Sequence, residues 1–481
     1  MNGKRHGTTQ TLSLSLGIAV TLACGLWTTQ PTLAQGPGTD SSQWTYLGGD
    51  AWHTRYTPAD QITPENFEDL DVAWRWDASS FGPSTARATP TYVNGKLITV
   101  SGNRRHVIAL DPATGELLWS FTEPNTNRYE YSMRKGYGKG IAYGEIDGRG
   151  VVFITSPGFF LHALDFETGR PIENWGRPVP LDGFNETGTV DLVEDLIADW
   201  GPWTSMDRPY DANTGMPLEI GYITSSSPPI VVNDTVVIGN SAEQGYLQTR
   251  IENVPGDILG YDADTGEQRW RTYTVPGNPA DGFENEAMRM AAETWTGEWW
   301  LQGGGGNAWH GFTYDAELDQ LYIGTGNGSP WNRKIRSPDG GDNLFLCSIV
   351  ALDPDTGEYL WHYQTVPGET WDYNSNMDIV LVDLKVRDRD VKALLHAPKN
   401  GFFYIINRSN GKLLSAEKYA KVDWASEVDM KTGRPIERAG ARYEDGEELV
   451  WPSAFGAHNW HAMSYNPQSG LVYLPIIEMP G

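Results

Sequence analysis

Cysteine is nearly missing from this chain: Cys24 and Cys347 are the only two in 481 residues. Cys24 lies in a stretch that reads as a cleaved leader, so the mature chain keeps Cys347 alone and can form no internal disulfide, even in an oxidising compartment. No Cys-x-x-Cys-His run occurs, which excludes a c-type haem of the chain's own. Long apolar runs are missing too; the best, Leu12 to Trp27, is short and mixed for a membrane span. Positive charge is scarce. Against 62 Asp and Glu stand 36 Lys and Arg, a net charge of −26, and so acidic a chain gains nothing from displacing a polyanion's counterions, which excludes nucleic acid as a partner. The acid is interleaved with aromatics, so disorder does not explain it. Helix signals are few; the best, Thr63-Pro64-Glu65-Asn66, combines an N-cap with Pro at the first helical position and predicts a short helix over Phe67 to Leu70.

What is present begins with an address. Lys4-Arg5 precede the apolar run, and Thr32-Leu33-Ala34 close it before Gln35. A basic start, a hydrophobic middle and a small-residue cleavage site read as a secretory signal peptide over 1–34, leaving 35–481 as the mature chain. A retained anchor helix is the rival reading.

The mature chain is dominated by a repeat. Ala109-Leu-Asp111-Pro-Ala-Thr114-Gly115-Glu-Leu-Leu-Trp119 recurs as Ala163-Leu-Asp165-Phe-Glu-Thr168-Gly169, with Trp175 displaced by two. It returns at Gly260-Tyr-Asp262 to Thr265-Gly266 and Trp270, and at Ala351-Leu-Asp353 to Thr356-Gly357 and Trp361. Asp-x-x-Thr-Gly is a hairpin turn in which short polar side chains cap backbone groups and Gly supplies a positive φ. The residues before it, as in Val107 to Leu110, alternate like a strand. The first position is always Ala or Gly, which leaves room for an indole from a neighbouring unit. Sheets stacked radially by such wedges make a β-propeller. The aspartates are 54 (111 to 165), 97 (165 to 262) and 91 (262 to 353) residues apart. With a unit of about 40–50 residues, the two long gaps predict degenerate copies between them; Tyr314-Asp315 to Asp319 is one candidate.

From Trp44-Thr-Tyr46 and Arg55-Tyr56-Thr-Pro onward, the chain resembles the alcohol dehydrogenases that depend on pyrroloquinoline quinone (PQQ). The resemblance implies an all-β, eight-bladed β-propeller with Trp-docking repeats and PQQ on its axis over a Ca²⁺ ion. Gly239-Asn240-Ser241-Ala242-Glu243 resembles the family's loop with a glutamate metal ligand. Gly324-Thr325-Gly326-Asn327 resembles the loop with an asparagine ligand, and Trp371-Asp372-Tyr373 the segment whose aspartate is both ligand and catalytic base. Two carboxylates and an amide oxygen are a hard oxygen set, suited to Ca²⁺ rather than to zinc or copper. Singly, each residue reads more readily as a turn or capping residue; their shared order points to one site.

The cofactor's contacts follow from the same resemblance. Trp309, in Gly303-Gly-Gly-Gly-Asn-Ala-Trp309, matches an indole lying flat under the quinone, a suitable floor for a planar ring system. Ser226 matches a hydroxyl and Lys139 an arginine that hold PQQ, while Asn459 and Trp460 match another axial contact. Lys399, in Ala397-Pro-Lys-Asn-Gly401, matches a basic residue near the reactive carbonyl. Four departures stand out. Met133-Arg134 replace the adjacent cysteines of many members, so no disulfide lid can form. Arg87 stands where methanol-oxidising members have a glutamate, which argues against methanol as the substrate. Asn374 stands where lanthanide-using members have a second aspartate, which favours Ca²⁺. The sequence stops at Pro480-Gly481, where family members continue into further strands, so a C-terminally incomplete chain is expected.

The implied reaction oxidises an alcohol to an aldehyde or ketone by hydride transfer to PQQ. The cation polarises the quinone carbonyl, Lys399 stabilises charge on its oxygen, and Asp372 takes the hydroxyl proton. Electrons then pass to a cytochrome c or a membrane quinone, in the periplasm. One rival keeps the chemistry but takes an aldose or polyol. The other is a non-catalytic exported scaffold, which explains the repeats, leader and acidity equally well but not the family order of Glu243, Trp309, Asn327, Asp372 and Lys399.

Overall fold

The Asp-x-x-Thr-Gly turns that begin at Asp111, Asp165, Asp262 and Asp353 each stand at the end of the third strand of a four-stranded antiparallel sheet. The computed structural model describes residues 43–83, 87–132, 134–184, 187–198, 209–215, 223–242, 255–386 and 389–481, all within one compact unit, Gln35–Gly481. Five such sheets follow one another: Thr91–Val93 to Leu117–Phe121, Ala142–Ile146 to Thr189–Asp191, Ile230–Val232 to Gln268–Tyr273, Thr313–Asp315 to Tyr359–Gln364, and Ile379–Val386 to Leu413–Lys418. Two hairpins come after, Ala425–Asp429 with Arg434–Glu437 and Ser464–Asn466 with Leu471–Tyr473. The sheets are propeller blades, as the repeat predicts. Among the described residues no helix is long and apolar enough to cross a membrane.

The turn is built as its sequence demands. Asp111 Oδ1 accepts from Ala113 N (2.9 Å), Thr114 N (2.8 Å) and Thr114 Oγ1 (3.0 Å), and Gly115 takes a φ of +73°. Asp262 and Asp353 repeat the pattern. In the fifth sheet, which has no Asp-x-x-Thr-Gly, Asn407 does the same work for Ser409 before Gly411.

The tryptophans link blade to blade, but not through the small residue at the head of each repeat. That residue faces the indole of its own unit across the strand pair: Ala109 opposite Trp119, Gly260 opposite Trp270, Ala351 opposite Trp361. A Cβ on Gly260 would meet Trp270 Cε2 at 2.2 Å. The indole then reaches the next unit's turn. Trp119 Nε1 donates to Phe166 O (3.0 Å), Trp175 Nε1 to Ala263 O (2.8 Å) and Trp270 Nε1 to Pro354 O (3.1 Å), each carbonyl just past the turn's aspartate. Its ring lies on the turn glycine: a Cβ on Gly357 would come 2.4 Å from Trp270, and one on Gly411 2.6 Å from Trp361. Trp74 opens the series by docking on Pro112 O (3.0 Å) and Gly115.

Two expectations fail here. The second and third sheets are consecutive, as are the third and fourth, and no further four-stranded sheet lies between either pair among the described residues. The spacing from Asp262 to Asp353 comes from an inserted segment between the third and fourth sheets, not from a degenerate blade; Asp315 to Asp319 is the hairpin joining the first two strands of the fourth sheet. The insertion before the fourth sheet carries a helix, Glu286–Ala292, and packs Trp295 and Trp299 against Val275 and Leu346. The predicted helix over Phe67 to Leu70 is a single 3₁₀ turn, Phe67–Asp69, with no buried residue. Without an apolar face to bury, capping residues alone cannot sustain a longer helix.

Apolar residues fill the spaces between neighbouring blades. Ile98, Val107 and Ala109 of the first sheet pack with Val152 and Ile154 of the second. Phe153 and Leu161 of the second pack with Val236 and Leu259 of the third. The same arrangement joins third to fourth and fourth to fifth.

Candidate active site

Glycine brings three loops to one place. Gly304–Gly305 pairs with Gly328–Ser329, and Gly305, at φ +99°, lies so close that a Cβ there would be 2.3 Å from Asn327 O. A Cβ on Gly324 would fall 1.8 Å from Ser375 O. Only bare backbone allows this approach. It delivers Trp309, Asn327 and the 372–376 segment to a common centre.

A continuous run of hydrogen bonds follows. Lys399 Nζ donates to Asp372 Oδ2 (2.8 Å) and Asp372 O (2.9 Å). Asn374 Nδ2 donates to Asp372 O (2.6 Å) and Oδ1 (3.2 Å). Asn374 Oδ1 accepts from Trp309 Nε1 (3.0 Å) and from Asn327 N (3.1 Å). Asn376 Oδ1 holds Trp309 N (2.9 Å). On the far side of the indole, Lys139 Nζ donates to Trp309 O and to Ser226 Oγ (3.3 Å), and stands 4.8 Å from the ring centroid. Thus Lys399, Asp372, Asn327, Trp309, Lys139 and Ser226 are brought together as predicted. Asn374, considered in the sequence only for its charge, joins three of them directly, Asp372, Trp309 and Asn327.

The electrostatics are set by burial. Burial pushes the Asp372 carboxyl above its usual range, and Lys399 opposes the shift. Asp372 sits at φ +64°, in the left-handed region. Burial, and then the guanidinium groups of Arg134, Arg87 and Arg105, hold the Lys139 ammonium well below its usual pKa. Among the described residues no carboxylate pairs with it. A cavity of about 190 Å³ opens beside it, lined by Arg55, Arg87, Lys139, His310, Thr89 and Trp460. Arg87 stacks on Tyr137 (4.0 Å) and Trp460 (4.7 Å). Behind the wall, Asp378 accepts from Arg55 (3.2 Å) and His310 (3.0 Å); burial raises its pKa, but the Arg55 guanidinium and the His310 hydrogen bond outweigh that and keep it well below the ordinary value.

Three expectations fare differently. Trp460 reaches the cavity of Lys139, but the Asn459 amide closes its own turn, donating to Phe455 O (2.8 Å) and accepting from Trp460 N (2.9 Å). Glu243 and Met133 lie outside the described residues. Cys347 is buried and free, as its solitude in the sequence requires.

These residues fit the groups that the resemblance implies. A buried ammonium with only a hydroxyl and a carbonyl as partners suits a carboxylate-bearing cofactor lying on Trp309. Asn327 Nδ2 donates to Gly328 O (3.0 Å), which leaves its amide oxygen for a hard cation shared with Asp372. Among the described residues no three His, Cys, Asp or Glu side chains gather to hold a metal, as expected of a set that uses one amide and Glu243.

Residues 44–431 match the PQQ family described as "Glucose/ethanol/alcohol dehydrogenase, beta-propeller domain". The chain belongs to that family. It is 41% identical over 450 residues to the quinohemoprotein alcohol dehydrogenase ADH IIB of Pseudomonas putida, covering 91% of this chain and 56% of the relative. It is 36% identical over 448 residues to the 1-butanol dehydrogenase (cytochrome c) of Thauera butanivorans, covering 91% of this chain and 56% of that protein. The crystal structure of the Comamonas testosteroni quinohemoprotein alcohol dehydrogenase superposes with a TM-score of 0.76 at 38% identity, over 94% of this chain and 59% of that one. The chain therefore spans a little over half the length of these relatives.

Proposed function

We propose that this chain acts as an exported, periplasmic quinoprotein dehydrogenase. It oxidises an alcohol to an aldehyde or ketone, with PQQ lying on Trp309 and Ca²⁺ held by Asp372, Asn327 and Glu243. The observation that carries the reading is the unbroken network from Lys399 through Asp372, Asn374 and Trp309 to Lys139 and Ser226. A scaffold needs no such chain of buried polar groups. The relatives named for alcohols, and one for cytochrome c, support the substrate class and a cytochrome or quinone as electron acceptor.

When bound, the PQQ–Ca²⁺ pair supplies a hydride acceptor with a Lewis acid beside it. The chain's own residues do the rest. Asp372 accepts the hydroxyl proton at a carboxylate oxygen. Lys399 Nζ, 2.8 Å from Oδ2, opposes the rise in pKa that burial imposes on the carboxyl, and Asn374 Nδ2 fixes its rotation. Trp309, pinned at its backbone and ring nitrogens, gives a flat floor. Lys139 and Ser226 Oγ anchor a cofactor carboxylate at the far edge.

Asp372→Asn removes the proton acceptor while keeping shape and an oxygen donor. Alcohol-dependent reduction of an artificial acceptor is expected to vanish, while PQQ absorbance stays with the purified protein. Substantial residual turnover would remove Asp372 from the reaction.

A further inference from the structure

A buried carboxylate and a buried guanidinium bracket the two loops that bear Asn327 and Asp372, and neither has a part in the mechanism above. Glu369 is fully buried. Its Oε2 accepts from Gly328 N (3.1 Å), the residue after Asn327, and its Oε1 from Tyr373 N (2.9 Å), the residue after Asp372. Arg336 is buried alongside it and takes the carbonyls of the same loops: Trp331 O (3.2 Å), Pro330 O and Glu369 O. Gly328 leaves no room between them, since a Cβ there would meet Arg336 Cζ at 2.1 Å. The Glu369 carboxyl thus collects the N–H groups and the Arg336 guanidinium the C=O groups of a single loop pair. Burying a carboxylate is costly, with several kcal/mol of desolvation to offset, and packing alone could be served by an apolar side chain. What the carboxylate adds is a fixed span: one rigid planar group bonded to the backbone beside each of two proposed ligands.

We propose that Glu369 is a positioning residue that sets the separation of Asn327 and Asp372 for a divalent cation, without touching the cation or the cofactor. This rests on the Ca²⁺–PQQ reading above. Two rigid acceptors 41 and 4 residues distant in sequence from their donors hold the loops before any ion arrives. Groups that orient metal ligands cost about 10–100-fold in affinity when altered.

The test uses the full chain, stripped of metal, and titrates Ca²⁺ by calorimetry, with PQQ absorbance and thermal melting as parallel readouts. Glu369→Gln keeps the shape but turns an NH₂ group toward one of the two N–H donors. Its Ca²⁺ dissociation constant is expected to rise at least tenfold, with PQQ uptake restored at saturating Ca²⁺. Val236→Ala, a core truncation in the third sheet, serves as a destabilised control and is expected to bind Ca²⁺ normally. Equal Ca²⁺ affinity in wild type and Glu369→Gln overturns the proposal, as does equal weakening in the control. If Glu369→Gln does not fold, Glu369→Asp replaces it; one methylene shorter, it cannot reach both loops and should also bind Ca²⁺ at least tenfold more weakly. Failure of both variants to fold overturns the proposal in favour of a purely structural carboxylate. If the wild-type chain itself takes up no Ca²⁺, the proposed function fails and this inference falls with it.

Discussion

At Asn374 one amide meets four partners: its oxygen accepts from Trp309 Nε1 and Asn327 N, and its nitrogen donates to Asp372 O and Oδ1. A primary amide is the only neutral side-chain group that can donate two hydrogen bonds and accept two at once. Asn374→Leu would leave buried N–H groups on Trp309 and Asn327 without acceptors, at about 1–3 kcal/mol each. PQQ affinity, followed by absorbance titration, is expected to fall at least tenfold and the melting temperature to drop by a few degrees; unchanged affinity would show that the indole does not need this anchor. The site residues readable in the sequence were those whose side chains act directly and stand in recognisable motifs, such as Asp372 and Lys399. Asn374, Glu369 and Arg336 were not legible in this way. They act on backbone atoms of distant loops, and no local pattern marks such a partner.

The blade-to-blade joint is a property of elements. Trp270 bonds Pro354 O and covers Gly357, which has φ +69°. Trp270→Ala empties a buried indole site and should cost about 3–5 kcal/mol. Gly357→Ala should be comparably harmful, because its new methyl meets the ring at 2.4 Å. Made together, the two should cost clearly less than their sum, since without the ring the backbone strain of about 1 kcal/mol and the approach of Thr272 Oγ1 at 2.7 Å are what remain at residue 357. Urea unfolding of the four proteins measures this, and strict additivity would show that ring and turn do not meet. The turns and strands were legible because Asp, Thr and Gly have fixed tasks at fixed offsets. The count of units was not. Spacing equates distance along the chain with blades, and an insertion between sheets, such as that carrying Glu286–Ala292, breaks the equation.

For the whole molecule, pH enters through histidines enclosed between blades. His162 is buried in the second sheet against Phe121, Phe160 and Phe184, with Nδ1 3.0 Å from Thr189 Oγ1. Burial, then the Arg128 charge, lowers its pKa to about 3. Unfolded, it takes a proton near pH 6.5; folded, it does not, so the unfolded state gains protons first and stability falls on acidification between about pH 6.5 and 3. His162→Asn removes this term. Its deficit relative to wild type should shrink by about 1.4 kcal/mol per pH unit below pH 6; a deficit constant from pH 7 to 5 in denaturant melts would mean that His162 is not held neutral.

The indole joints also have a direction. Trp74, Trp119, Trp175, Trp270 and Trp361 each lean forward onto a turn that comes later in the sequence. A polypeptide that folds in the order in which it is synthesised therefore makes every wedge before its seat exists. At each stage the newest blade shows one uncovered aromatic face to the surroundings, and the next hairpin to arrive hides it. Assembly becomes vectorial, with a single sticky end that moves along the chain, and it is at that moving end that a chaperone would find something to hold.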